Sequence, residues 1–551
     1  MDDELFDYVI VGAGSAGSVL AARLTEDPDV RVALIEAGGP DSDPAVRVPS
    51  ASLALLGTEL DWGYRTVPQP GLGDRTVDWP RGKVLGGSSS VNFQMWIPGS
   101  AEDYDAWGSA AGPTWSWRAV RPYLRRAERW AGPGTEGTTY GDDGPLWISP
   151  PRDPDPTTPH FLRACAELGL GPLPGGLGGP HLHGSALTPL NQLDGVRWSS
   201  ADGYLRPALE RANLTVFTGE QARRIILEDG RASGVELATR RLSARREVIL
   251  SAGAIGSPHL LMLSGIGDER DLAAAGVEPR VHLPGVGRNL HDHATVDVIR
   301  HAATPVRLAQ LDSPEAAKRY EEDRLGPLTS NIAEAVGFFR SDVGDGPHGG
   351  GGSDGPNGTA DRNGTAGHNG TSGPPDLEVI WAPIAFQGES LADGLTIGVV
   401  LLQPESRGAV TLQGPDPDTP PLIDPGYLSA EADLHRLAAG VRFAERLFAT
   451  ETLRPLVGEA MTPWTDGLDE EALHQHLRDH TGTLFHPVGT CRMGLPDDPD
   501  AVVDPELRVR QVPGLRVVDA SVMPRIIGGH THAPAVMLAE RAADLIRGAS
   551  H

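Results

Sequence analysis

The sequence predicts an α/β fold, α+β when taken over its whole length. Three observations predict it. The N-terminus runs strand, glycine turn, helix, strand, which is a βαβ unit. Short apolar runs recur between residues 214 and 251 and again near the C-terminus, beside stretches of helical periodicity. The composition is ordinary for a globular protein: 39% hydrophobic and 22% charged over 551 residues, enough for two or more large domains.

The elements follow in chain order. Leu5 to Val11 is apolar and ends at Gly12, the pattern of a buried parallel strand. Gly14 to Thr25 places Val19, Leu20 and Leu24 at helical spacing. Val30 to Ile35 is a second strand, ending at Glu36. Residues 76–110 are rich in Gly and Ser and predict an extended loop. Residues 150–195 hold many Pro and Gly and little periodicity. Leu214 to Phe217 and Ile225 to Leu237 predict strands, the latter around a turn at Asp229-Gly230. Glu247 to Ser251 is another strand, with a helix from about Ser257. Helical (Glu431 to Phe448) and strand (Leu395 to Gln403) patterns mix in the middle, and Leu515 to Ile546 closes as strand, loop and helix.

Residues 343–374 differ in kind. They contain almost nothing apolar, so no packed core can form, and a disordered Gly-rich loop is expected. Asn357, Asn363 and Asn369 each begin Asn-Gly-Thr, formally a glycosylation acceptor but better explained as a drifting six-residue repeat.

Acidic residues outnumber basic ones by 74 to 47, a net charge of −27. That excludes broad binding to nucleic acid or anionic lipid. No run of about 18 apolar residues exists, which excludes a transmembrane helix. Cys165 and Cys491 cannot make a disulfide framework or a zinc ribbon. No signal-peptide pattern precedes the first strand. The expectation is a cytoplasmic enzyme with a small-molecule substrate, no nucleic-acid or membrane partner, and no metal.

Gly12-x-Gly14-x-x-Gly17 carries the first chemistry. The same spacing from Gly344 and from Gly350 falls in the Gly-rich loop and means nothing. The first copy follows a strand, opens a helix and is answered by Glu36. There Gly12, Gly14, Ser15, Ala16 and Gly17 would bring backbone close to a pyrophosphate at a helix N-terminus. Glu36, followed by Ala37, would hold the adenosine ribose. The fingerprint alone does not separate NAD from FAD.

Two longer blocks do. Gly82-Lys83-Val84-Leu85-Gly86-Gly87-Ser88-Ser89-Ser90-Val91-Asn92 continues to Trp96, Gly99 and Asp105. Gly253-Ala254-Ile255-Gly256-Ser257-Pro258-His259 continues to Gly267. With GPLTSN (326–331) and LLQPESRGAVTL (401–412), they make the chain resemble the glucose-methanol-choline (GMC) family of flavin oxidoreductases over essentially its full length. The resemblance implies a Rossmann-like FAD-binding domain and a substrate domain of antiparallel sheet and helices. The expected FAD-binding segments are 1–155, 200–300 and 475–551; the substrate domain takes 156–199 and 301–474.

It also implies roles. Gly82, Gly86, Gly87, Ser88 and Ser89 would run beside the flavin, with Asn92 near its reactive face. Some relatives attach flavin through a His in this loop. Ser88 to Asn92 has none, and Val91 takes one such place, so FAD is expected to be non-covalent. Ala222 would pass the adenine. Asp519 and Ala520 would make the second contact with the pyrophosphate and ribityl region. His532, where most relatives carry Asn, and Ala533 would contact the flavin.

His486, in His-Pro-Val-Gly-Thr-Cys-Arg-Met-Gly, and His530, in Gly-Gly-His-Thr-His-Ala-Pro, match the family's catalytic pair. A hydride leaves carbon only if the hydroxyl proton leaves too, and imidazole titrates near working pH. His486 would take that proton while hydride passes to flavin N5, and His530 would orient the oxygen. The substrate would be an alcohol, re-oxidation falling to O2 or another acceptor. Trp381, Phe386 and Phe485 are candidates to line the pocket. Rival readings are a hydroxynitrile-lyase-type acid/base enzyme on the same fold, an NAD-dependent dehydrogenase and a non-catalytic flavin-binding protein.

Overall fold

Near-continuous apolar strands build the first sheet. The computed structural model describes residues 4–132, 139–173, 175–341, 343, 373–387 and 390–548. In it Glu4–Val11 lies between two parallel neighbours, Val32–Glu36 and Arg241–Leu250. Leu214–Thr218 extends the sheet beyond Val32–Glu36. Helix Ser15–Leu24 makes the crossover and buries Val19, Leu20 and Leu24. The strand Arg241–Leu250 is shared. Its start pairs antiparallel with Arg231–Glu236 and its end pairs parallel with Leu515–Val517. The turn expected at Asp229-Gly230 is present, with φ of 49° and 77°.

The second sheet is antiparallel. Its order is Val457–Ala460, Ala294–Ala302, Gly394–Leu401, Leu377–Ala382, Ala335–Phe339 and Gly184–Leu187, with Gly482–Thr483 also on Ala294–Ala302. Side chains alternate between its faces. One face meets helix Glu431–Ala449, where Gly440 lets the backbones approach: a Cβ there would sit 2.4 Å from Val399 Cγ1. The other face carries Thr295, Asp297, Ile380, Ala382, Thr396 and Gly398 and borders the main cavity. The boundary expected at residue 300 thus falls inside the strand Ala294–Ala302.

Two stretches expected as irregular contain helices. Ala101–Ala111 is helical because Ser100 and Asp103 form a capping box, a signal outweighed in the sequence by the surrounding Gly and Ser. Thr158–Glu167 is helical, with Pro159 in its first turn, where proline is tolerated. The C-terminal helix begins at His532, two residues before Pro534. Apart from 343, 373 and 374, the Gly-rich stretch 343–374 and its Asn-Gly-Thr triplets lie outside the described residues. Cys165 and Cys491 are both free and buried. Among the described residues, no helix is long and apolar enough to cross a membrane.

Candidate active site

A cavity of about 850 Å³ collects most of the expected residues. Gly12, Gly14, Ser15, Ala16, Glu36, Ala37, Gly82, Gly87, Ser88, Ser89, Asn92, Ala222, Asp519, Ala520, His486, His530 and His532 all line it. Gly17, Gly86 and Ala533 are not among its lining residues. Gly17 packs the helix onto the turn instead: a Cβ there would meet the Gly12 carbonyl oxygen at 1.8 Å. Gly86 joins the two glycine turns, its N–H donating to the Ala13 carbonyl at 2.8 Å. Ala533 is fully buried in the first turn of its helix.

This cradle fits a dinucleotide. Gly12 has φ +100°, and a Cβ there would lie 2.4 Å from the Ser251 carbonyl oxygen. Gly87 has φ +54°, and a Cβ would lie 2.7 Å from Gly14 Cα. Backbone therefore comes close where side chains would intrude. Gly14 caps helix Ser15–Leu24 without a side chain, and the first turn holds no acid, so its N–H groups suit an anion. One oxygen of Glu36 accepts from Ala13 N–H (2.9 Å) and the other from Gly38 N–H (2.8 Å). Each keeps lone-pair capacity for a ribose diol. Burial lifts the Glu36 pKa to about 7.

Several of the expected contact residues also brace the cavity wall. Ser88 Oγ accepts from Gly82 N–H (3.1 Å), and Ser89 Oγ accepts from Ser200 N–H (3.0 Å). Asn92 Oδ1 accepts from Gln94 N–H and from the Arg197 guanidinium, both at 2.9 Å. Asp519 accepts from Gly253 N–H (2.9 Å), the Ser257 hydroxyl and Ser521 N–H (2.8 Å). His532 has both ring nitrogens engaged, Nδ1 at 3.0 Å from Asn191 Oδ1 and Nε2 at 3.1 Å from Ser200 Oγ. Burial lowers its pKa to about 3, so its ring is neutral.

The two histidines face each other. The His486 and His530 rings have centroids 4.7 Å apart at 77°. His486 Nδ1 lies 2.9 Å from His293 Nδ1. His530 Nε2 lies 3.2 Å from Glu378 Oε1. His486 Nε2 and His530 Nδ1 have no protein partner among the described residues. Burial, then the neighbouring His530, His293 and Arg81, hold the His486 pKa well below 6.5.

The backbone carrying His486 is pinned. Asp292 accepts from His486 N–H (2.6 Å) and from the hydroxyls of Thr483 and Tyr427. Phe485 has φ +65°, which costs about 1–2 kcal/mol for a residue with a Cβ. Arg81 donates to its carbonyl (2.7 Å) and its N–H donates to Thr483 Oγ1 (2.8 Å), which holds that conformation. Phe485 and Phe386 line the cavity. Trp381 does not: it sits on the opposite face of Leu377–Ala382, fully buried, its ring 5.2 Å from that of Phe161.

Sequence reasoning missed Asp292, His293, Asp297 and Glu378. Signals existed. His291-Asp292-His293 is a dense cluster of titratable groups, and Glu378 and Asp297 are single acids inside apolar strands. Asp297 lines the cavity, and its carboxylate has no hydrogen-bond partner among the described residues. Burial raises its pKa to about 6.

Comparison with known proteins gives the family. The GMC oxidoreductase family matches residues 6–295 with its N-terminal part and 404–539 with its C-terminal part. A GMC-type oxidoreductase of Mycobacterium tuberculosis is 43% identical over 558 residues, covering 99% of this chain and all of that protein. The alcohol dehydrogenase (acceptor) of Pseudomonas putida is 36% identical, over 98% of this chain and 96% of its own. The crystal structure of pyridoxine 4-oxidase from Mesorbium loti superposes with a TM-score of 0.85 at 33% identity, covering 99% of each chain. The chain belongs to the GMC oxidoreductase family and is an FAD-dependent enzyme of alcohol oxidation.

Proposed function

We propose that the enzyme converts a small-molecule alcohol to an aldehyde or ketone, with His486 as general base and FAD held non-covalently. The observation that carries this reading is the pairing of His486 and His530 in the cofactor cavity, each with one ring nitrogen tied to protein and one left over. FAD supplies the hydride acceptor when bound.

The protons follow from the hydrogen bonds. Two Nδ1 atoms at 2.9 Å share one proton between His293 and His486. For His486 to act as base at Nε2, the shared proton must sit on its Nδ1. His293 Nδ1 is then the acceptor, and His486 donates from its own Nδ1. That leaves the lone pair on His486 Nε2, where the hydroxyl proton goes. Its depressed pKa keeps this nitrogen unprotonated at neutral pH. His530, anchored at Nε2 by the Glu378 carboxylate, places its Nδ1 at the substrate oxygen and orients it. Positioned proton transfer is worth about 10²–10⁴ in rate.

Asp297 bears on the substrate. Its unpartnered carboxylate is satisfied by an alcohol that carries a positive charge or a further hydroxyl donor. Re-oxidation of the flavin falls to O2 or another acceptor. The sheets support the domain division 1–155, 200–300 and 475–551 against 156–199 and 301–474, with Ala294–Ala302 and Gly482–Thr483 moved to the second group. Two buried free thiols are consistent with the cytoplasmic reading.

The test has two stages. Acid precipitation of the purified protein should release the yellow colour to the supernatant; colour kept in the pellet overturns the non-covalent assignment. Anaerobic mixing with a panel of amino alcohols, polyols, aryl and aliphatic alcohols should then bleach the flavin with at least one. An FAD-loaded protein that no alcohol bleaches would point to acid/base chemistry without redox.

A further inference from the structure

Away from the cavity, two helices open with the same short pattern. Helix Glu431–Ala449 begins Glu431-Ala-Asp-Leu-His435, and helix Glu470–His480 begins Glu470-Glu-Ala-Leu-His474. Glu and His four residues apart share one helix face. In each helix the Leu before the His, Leu434 or Leu473, is buried, which fixes how the helix is rotated. The two patterns meet. The His435 and His474 rings have centroids 5.2 Å apart at 76°. One donor atom each from His435, Glu470 and His474 all lie within 4.8 Å of one another. Glu431 Oε1 is 3.5 Å from His435 Nε2.

We infer that His435, Glu470 and His474 form a binding site for one transition-metal dication of the zinc class, with the neighbouring Glu431 swinging in as the fourth ligand. Two imidazoles and two carboxylates are a donor set such ions accept, with bonds of about 2.0–2.2 Å. Tetrahedral bonds of that length put ligand atoms about 3.3 Å apart, so the present spacing needs a small inward rotation. His435 and His474 are half-exposed and Glu470 is exposed, so they have room to turn. Two nitrogen donors disfavour Mg²⁺ and Ca²⁺, which take oxygen ligands. The alternative is a set of water-exposed Glu–His pairs with no ion.

The position gives the site a role. Helix Glu431–Ala449 backs the second sheet. Helix Glu470–His480 is followed by the strand Gly482–Thr483 and then by His486. An ion between them would clamp the segment leading to the catalytic base against the sheet that walls its cavity. None of the four ligands lines that cavity, so the inference stands apart from the proposed reaction.

Calorimetry and thermal melts of the FAD-loaded, chelator-stripped protein test it, with Zn²⁺ as the probe. The expected result is one equivalent of Zn²⁺ per chain and a melting temperature that rises with its concentration. His474→Gln and His435→Gln should each weaken binding at least about tenfold while leaving the flavin spectrum unchanged. His282→Gln, at an exposed histidine elsewhere, should leave binding intact. The inference is overturned if no saturable single equivalent binds, or if His474→Gln binds Zn²⁺ as the natural protein does.

Discussion

His486 is held by contacts supplied by distant parts of the chain. Asp292 fixes its backbone, His293 occupies its Nδ1, and Arg81 holds the carbonyl just before it. Replacing His293 by Leu removes the acceptor that holds the productive tautomer, and should lower kcat about 10- to 100-fold, the worth of a buried hydrogen bond. His293→Asn keeps an acceptor carbonyl and should retain most activity. Steady-state kinetics on both variants checks this; equal losses would reduce His293 to a packing role. The pH profile follows from the same site. The active form of His486 is neutral, and its pKa lies well below 6.5, so the neutral form persists as pH falls through 6.5. The acid limb of kcat/KM should therefore lie below pH 6.5, and a limb at or above it would contradict the assignment. His486 and His530 were legible because their local motifs are long. Glu378 and His293 were not, because what brings them to the site is a contact with a residue 152 or 193 positions away.

At the scale of elements, the two glycine turns depend on each other. The Gly14 turn and the Gly87 turn approach so closely that a Cβ on Gly87 would lie 2.7 Å from Gly14 Cα, whereas a Cβ on Gly14 would make only ordinary contact, 3.8 Å from Gly87 Cα. Gly87→Ala combines a left-handed backbone, costing about 1–2 kcal/mol, with a backbone clash. It should lower FAD affinity at least tenfold, read as the flavin-to-protein absorbance ratio after dialysis. Gly39→Ala, where a Cβ meets nothing within 4 Å, should leave the ratio unchanged. The βαβ start, the strand pairs around Asp229-Gly230 and the helix at Glu431 were legible because periodicity and turn chemistry agree there. Helix Ala101–Ala111 was not, because composition argued against it while the capping box at Ser100 decided it. The pocket role of Trp381 failed on strand parity, since one residue's shift along a strand changes the face.

Across the whole molecule, the site exists only where the two sheets meet. The glycine turns and Glu36 come from the first sheet; Glu378 and Asp297 come from the second; the histidine loops lie between them. Pairing order was not legible, because the second sheet joins strands as far apart as Gly184–Leu187 and Gly482–Thr483. Local patterns could name these strands but not their neighbours. The cavity's shape, and with it the choice of alcohol, depends on that order. Under the proposed function, the first sheet would hold the cofactor, the second would present the substrate, and His486 would take the hydroxyl proton. The most direct test is the rate of flavin reduction by a productive alcohol, measured anaerobically by rapid mixing, in the natural enzyme and in His486→Gln. Gln keeps a polar side chain but cannot take a proton. The account predicts a loss of at least about 100-fold with FAD content unchanged. A His486→Gln variant that reduces its flavin within a few-fold of the natural rate would contradict it.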